Sequence, residues 1–218
     1  GVSLAFESGA DGVLTFDQDS VVAPDYAQRS TDVWQSMRSS SRQIGANVPE
    51  VFADVSQTSQ RRADGTPVAR NPIQSGMLIP RETWTALGGF REDFFIDLVD
   101  TEYERRMRTA GLDTVVAVGL RLPHTLGARY RAQLFGIPLR FPGAPVAWTL
   151  SSPFRYYYRV RNRIVLDREY PALRSIRDTV LDRIHFAIAW TIAEPRRAFG
   201  MVLREARAAG RNGRMGPI

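Results

Sequence analysis

The sequence predicts an α/β layered sheet with a helical extension behind it. Two observations carry this. Short apolar runs bounded by turn residues alternate with segments whose apolar residues recur every three or four positions. From residue 151 onward only the helical spacing continues, in a segment rich in Arg. At 218 residues, 44% of them hydrophobic, the chain can bury one good core and a small appendage.

Each element follows from local chemistry. Residues 2–8 can form a short helix that Gly9 closes, and VLTF (13–16) has the compact apolar character of a buried parallel strand. That run ends abruptly in Asp17-Gln18-Asp19-Ser20. Pro24 stands near the start of a helix over about 25–37. Residues 38–71 are rich in Ser, Arg, Gln and Asp, with DGTP at 64–67, and read as an irregular or hairpin region. GMLIP (76–80) reads as a second buried strand, followed by a short helix (81–87) and the turn Gly88-Gly89-Phe90. The clearest helix is expected over 96–110, where Ile96, Val99, Tyr103, Met107 and Ala110 share a face and Gly111 supplies the stop. TVVAVG (114–119) is a strand leading to Leu122-Pro123-His124, and 127–145 reads as a long loop. Helices are expected near 153–168, 172–193 and 195–209.

Charge is unevenly spread around the net of +6. Residues 1–119 hold 11 Arg against 17 acids, whereas 120–218 hold 18 Arg against 6 acids. The acidic half suits a divalent cation, and the basic half suits an anionic surface or substrate. Every basic residue is Arg, which reads first as compositional bias. The absence of Cys removes disulfides, thiolate nucleophiles and Cys-ligated metals together, and fits a reducing compartment. No stretch reaches the roughly 20 apolar residues of a transmembrane helix.

Three places could do chemistry. Asp17 and Asp19 follow a strand end, where side chains at i and i+2 point the same way and can face one ion. Asp and Ser equally favour Asx-turns and helix N-caps, so the pair alone is a weak signal. In FFIDLVDTEYERR (94–106), Asp97, Asp100 and Glu104 fall at i, i+3 and i+7 of the expected helix, opposite its apolar stripe. A carboxylate at such a helix start can take a proton from a hydroxyl, although acids also settle there through the macrodipole. Glu102 and Glu104 read as solvated or paired with Arg. His124 follows a strand and a Pro and can serve as a third ligand or as a structural hydrogen-bonding residue. His185, within an expected helix, belongs to the structural class.

The order of these features is the informative part. GADGVLTFDQDS (9–20), SGMLIPRETWTALGGFREDFFIDLVDTEYERRMRTAG (75–111), LPHTLG (122–127) and SPFRYYYRVRNRIVL (152–166) occur in one sequence and in this order. Taken together they resemble the inverting family-2 glycosyltransferases of GT-A fold, in the rhamnosyltransferase and galactofuranosyltransferase branch. The resemblance covers most of residues 1–166. It implies a partial GT-A (Rossmann-like) mixed sheet with helices on both faces. It also implies that Asp19 ligates a Mg or Mn ion, that Asp17 is its partner toward metal or donor sugar, and that His124 is a further ligand. Asp100 matches the catalytic base. Trp84, Ser75 and Gly76 fall where the family builds its acceptor floor, and Asp97 shapes the acceptor pocket or caps the helix.

The implied partners are a dTDP- or UDP-sugar, with rhamnose the leading sugar by analogy, and a glycan or lipid-linked acceptor hydroxyl. Family members begin with βαβ units that hold the nucleotide base, whereas this chain opens 16 residues before Asp17. The resemblance therefore implies an N-terminally short GT-A domain over 1–150 that binds donor poorly alone. Residues 151–218 form an Arg-rich helical extension, with 14 Arg against 6 acids. Two roles stay open for it: seating a cytoplasmic enzyme on the inner, anionic face of the cell membrane, or packing and homo-oligomerisation. Two other readings of the whole chain also stay open, an inactive truncated remnant and a basic membrane- or anionic-polymer-binding module. No zinc, helix-turn-helix or RNA-binding signature points to nucleic acid.

Overall fold

The computed structural model describes residues 1–38, 43–124, 129–131, 133–134, 137–138, 140–141, 144–145, 147–149, 151–192 and 195–218, with backbone alone between 129 and 149 and at 192. It divides into two compact units, one formed by Gly1–Arg91 and Val99–Thr125, the other by Glu92–Leu98 and Leu126–Ile218.

The first unit is α/β. In chain order it contains α1 (Val2–Glu7), β1 (Gly12–Thr15), α2 (Tyr26–Arg38), β2 (Ile44–Phe52), β3 (Val55–Ser56), β4 (Thr58–Arg61), β5 (Pro67–Ala69), β6 (Met77–Pro80), α3 (Arg81–Leu87), α4 (Val99–Thr109) and β7 (Asp113–Leu122). The seven described strands make one mixed open sheet in the order β1-β6-β2-β7-β5-β4, with β3 paired to β2. β2 and β7 pair in parallel, while β6 runs antiparallel to both β1 and β2. Consequently β1, β2 and β7 point the same way and bring their carboxyl ends to one edge. Helices cover both faces. Ala46 and Val48 of β2 pack with Tyr103 and Met107 of α4. Asn47, alternating to the other face, donates to the Ser30 carbonyl of α2 and accepts from its hydroxyl.

Three expectations are corrected here. The run at 13–16 falls in β1, which is co-directional with β2 and β7 but pairs with the antiparallel β6, and Gly12, Val13 and Leu14 are only half-buried. The region expected as irregular or hairpin, 38–71, does carry the antiparallel pairs β2–β3 and β4–β5, but it also contains β2 as a central strand of the sheet. Three residues disguise it by answering to distant partners: Gly45 sits where a Cβ would press into Met107 Sδ, Asn47 is bonded to α2, and Pro49 adjoins a register shift against β7. Finally, α4 begins at Val99 rather than Ile96, because Phe95, Asp97 and Leu98 all take left-handed φ of 63°. Glu102 and Glu104 are paired with Arg as expected, yet they are buried rather than solvated. Burial pushes the Glu104 carboxyl above the usual range, and Arg108 and Arg70 pull it back.

The second unit is built on α5 (Pro153–Glu169), α6 (Ile176–Ile192) and α7 (Arg196–Asn212). Ser152 caps α5, accepting the Arg155 N–H, with Pro153 next to it in the first turn. Tyr156, Tyr157, Val160, Phe186, Leu203 and Ala206 form its core. The buried face of α6 runs through Asp182, Phe186 and Ala189, leaving Ile184 half-exposed. Short antiparallel ladders, such as Ala147–Thr149 on Arg129–Arg131, occupy part of the stretch expected as loop. Among the described residues, no helix is long and apolar enough to cross a membrane.

Candidate metal and donor site

The carboxyl edge shared by β1, β2 and β7 gathers the first cluster. Just beyond β1 the chain turns sharply: Ser20 N–H donates to the Asp17 carbonyl, and Asp17 N–H donates to the Ser75 hydroxyl. Ser75, only 1% exposed, also pairs with the Ser20 hydroxyl at 2.8 Å. The turn is therefore pinned from below by one buried side chain. Gly76, at φ +81°, gives its carbonyl to the buried Tyr26 hydroxyl, and a Cβ there would collide with that same oxygen. Val21 N–H then reaches the Pro123 carbonyl, drawing the end of the turn onto the end of β7.

His124 arrives from that strand end, with its ring against Phe52 at the end of β2, centroids 4.8 Å apart. Its Nδ1 is buried and has no hydrogen-bond partner among the described residues. One ligand atom each from Asp17, Asp19 and His124 lie within 4.8 Å of one another. A buried nitrogen without a partner costs free energy unless something accepts its lone pair or its proton. Two carboxylates and an imidazole form an oxygen-nitrogen set suited to Mg or Mn, so these residues fit a divalent ion.

The remaining sequence-derived candidates fall in different places. Asp100 stands in the first turn of α4, half-buried, and its Oδ1 accepts the Thr101 N–H at 2.7 Å. α4 packs on β7 and turns directly into it, so its amino end faces the same carboxyl edge. Ser75 and Gly76, expected at an acceptor floor, lie under the Asp17 turn as described. Trp84 is packed against Phe6, Phe90 and Tyr103. Asp97 belongs to the second unit and forms a two-pronged pair with Arg155, with oxygens 2.8 and 3.2 Å from the guanidinium nitrogens. His185 bonds the Tyr156 hydroxyl at 2.9 Å.

Sequence reading missed a carbonyl clamp in the second unit. Arg161 and Asn162, both fully buried on α5, are joined by an Nε–Oδ1 hydrogen bond. Arg161 donates to the Asp93, Phe94 and Gly216 carbonyls, and Asn162 donates to those of Phe94, Ile96 and Asp97. Together they satisfy the left-handed stretch that runs into Asp100. A signal existed: Arg161 shares the α5 face of Tyr157, Tyr158 and Val165, all buried.

Comparison with known proteins gives one relative of note. The chain is 26% identical over 204 residues to a dTDP-rhamnosyl transferase, RfbF, of Shigella flexneri, which covers 85% of this chain and 64% of that protein. No family model matches the chain. No solved structure matches it.

Proposed function

We propose that this chain carries the catalytic site of a metal-dependent, inverting glycosyltransferase that moves a sugar from a nucleoside-diphosphate donor to an acceptor hydroxyl. Rhamnose is the sugar the relative's name suggests, carried here on dTDP, and a glycan or lipid-linked glycan is the acceptor class. The observation that carries the reading is the buried Nδ1 of His124, without a hydrogen-bond partner among the described residues, beside Asp17 and Asp19 at the carboxyl edge of co-directional strands. Open α/β sheets bind ligands at that edge.

In this reading Asp19, Asp17 and His124 would hold a Mg or Mn ion beside the donor diphosphate. A divalent ion bound there would neutralise charge growing on the leaving diphosphate. Ser75 keeps the two carboxylates aimed by holding the turn. Asp100 takes the proton from the acceptor hydroxyl as that oxygen bonds to the anomeric carbon. The bond from that carbon to the diphosphate oxygen breaks on the opposite side, and the nucleoside diphosphate departs. One base and one displacement invert the anomeric configuration, and no covalent intermediate is needed.

The test is to supply protein shown to bind the donor with dTDP-rhamnose, Mn and a lipid-linked glycan acceptor, following dTDP release and the product's anomeric configuration by NMR. The reading expects release that needs both acceptor and divalent ion, with inversion at the anomeric carbon. Transfer unaffected by a chelator, or product with retained configuration, contradicts it.

A further inference from the structure

Two adjoining clefts on the second unit share Arg183, Phe186 and Arg207. The first, about 440 Å³, is lined by six arginines and two aspartates. Both aspartates are already engaged. Asp182, buried, is held by Arg159 and Arg163, and Asp167 is paired with Arg174. Arg168 donates to the Arg211 carbonyl. That leaves the guanidinium groups of Arg183 on α6 and of Arg207 and Arg211 on α7 with no partner among the described residues. Three like charges held around one cleft by rigid helices create a positive potential that an anion relieves.

The second cleft, about 530 Å³, continues from that cationic end with a different chemistry. Phe186, Ala187 and Trp190 of α6 face Gly200 and Leu203 of α7. On α6, Arg183, Phe186, Ala187 and Trp190 follow at i, i+3, i+4 and i+7, so one helix face passes from charge to apolar surface. Gly200 lies in front of the Trp190 indole, whose nitrogen a Cβ there would meet at 3.7 Å, an ordinary contact. Beside the cleft, Val180, Leu181 and Ile184 leave nearly half of their surfaces exposed. Volumes of this size suit small-molecule ligands.

We propose that the α6–α7 cleft binds a phosphorylated lipid, with the phosphate among Arg183, Arg207 and Arg211 and the apolar chain along Phe186, Trp190 and Leu203. The planar guanidinium fork matches phosphate oxygens. A polyanion such as nucleic acid wants a cationic track, whereas here the charge gives way to an apolar floor. The site rests on this charge and shape alone and stands independently of the sugar-transfer reading.

The experiment titrates the intact protein calorimetrically with dodecyl phosphate, inorganic phosphate, dodecanol and a short oligonucleotide. It is repeated on Arg183→Gln/Arg207→Gln and on a control, Arg177→Gln/Arg197→Gln. All four arginines are exposed, so both variants keep the fold, and matched melting curves verify it. Dodecyl phosphate should bind at least about tenfold more tightly than the other three probes. The cleft variant should lose about tenfold or more of that affinity, at about tenfold per 1.4 kcal/mol and about 1 kcal/mol per basic residue, while the control loses little. Equal losses in both variants would reduce the effect to diffuse surface charge. Equal affinity for inorganic phosphate or for the oligonucleotide would remove the lipid from the proposal.

Discussion

Nδ1 of His124 lies 3.6 Å from Oδ1 of Asp19, inside ion-pair range but outside hydrogen-bonding range. The imidazole is thus held beside the carboxylate without being satisfied by it. Replacing an unsatisfied buried polar group by an apolar one of the same shape is nearly neutral for stability. His124→Phe, which keeps the contact with Phe52, should therefore leave the melting temperature within a few degrees of the parent protein. Mn affinity should meanwhile fall by at least about tenfold. A large drop in melting temperature with Mn affinity unchanged would mark His124 as structural.

In transfer-competent protein, Asp100→Asn should retain Mn and donor affinity and lose turnover by a factor of about 10²–10⁴, the usual worth of a general base. Asp97→Asn should do less, since Asp97 is engaged with Arg155. Equal and mild losses in the two variants would return this acidic cluster to structure.

The Arg161–Asn162 clamp makes a stability prediction. Asn162→Ala removes the amide donor from the Ile96 and Asp97 carbonyls, while that of Phe94 keeps Arg161, in a stretch where three non-glycine residues already hold left-handed backbone. The expected cost is about 2–4 kcal/mol in urea unfolding. Asn162→Asp, which offers acceptors to acceptors, should not rescue it. A loss below about 1 kcal/mol would show that the stretch is held by other means.

His185 adds a pH dependence. Burial lowers its affinity for a proton, the Arg159 guanidinium lowers it further, and Asp182 opposes both. The unfolded chain therefore takes up the proton first. The contribution to stability is complete above the ordinary histidine value of 6.5 and is lost as pH falls from there through the lower folded value. Between about pH 8 and pH 5, His185→Gln should flatten the decline in melting temperature on acidification. Parallel declines in variant and parent would contradict this.

The parts legible in sequence were those written in local code. A compact apolar run ending in Asp-x-Asp, a Gly-closed amphipathic helix and a strand running into Pro-His each carry their signal within a few residues. β2 was hidden because Gly45, Asn47 and Pro49 answer to partners far along the chain, namely Met107, Ser30 and β7. The start of α4 was misplaced because Ile96 keeps the helical spacing although it packs into the core of the second unit. Arg161 looked like one cation among many, and only its place on the buried face of α5 separates it from Arg183 or Arg207, which face solvent.

Mn titration followed by electron paramagnetic resonance shows whether Asp17, Asp19 and His124 together hold a divalent ion. The intact protein should bind one Mn at a site that Mg displaces. Asp17→Asn/Asp19→Asn should abolish that binding while the circular dichroism spectrum stays unchanged. Stoichiometric Mn binding that survives in the double variant would place the ion elsewhere and contradict the account.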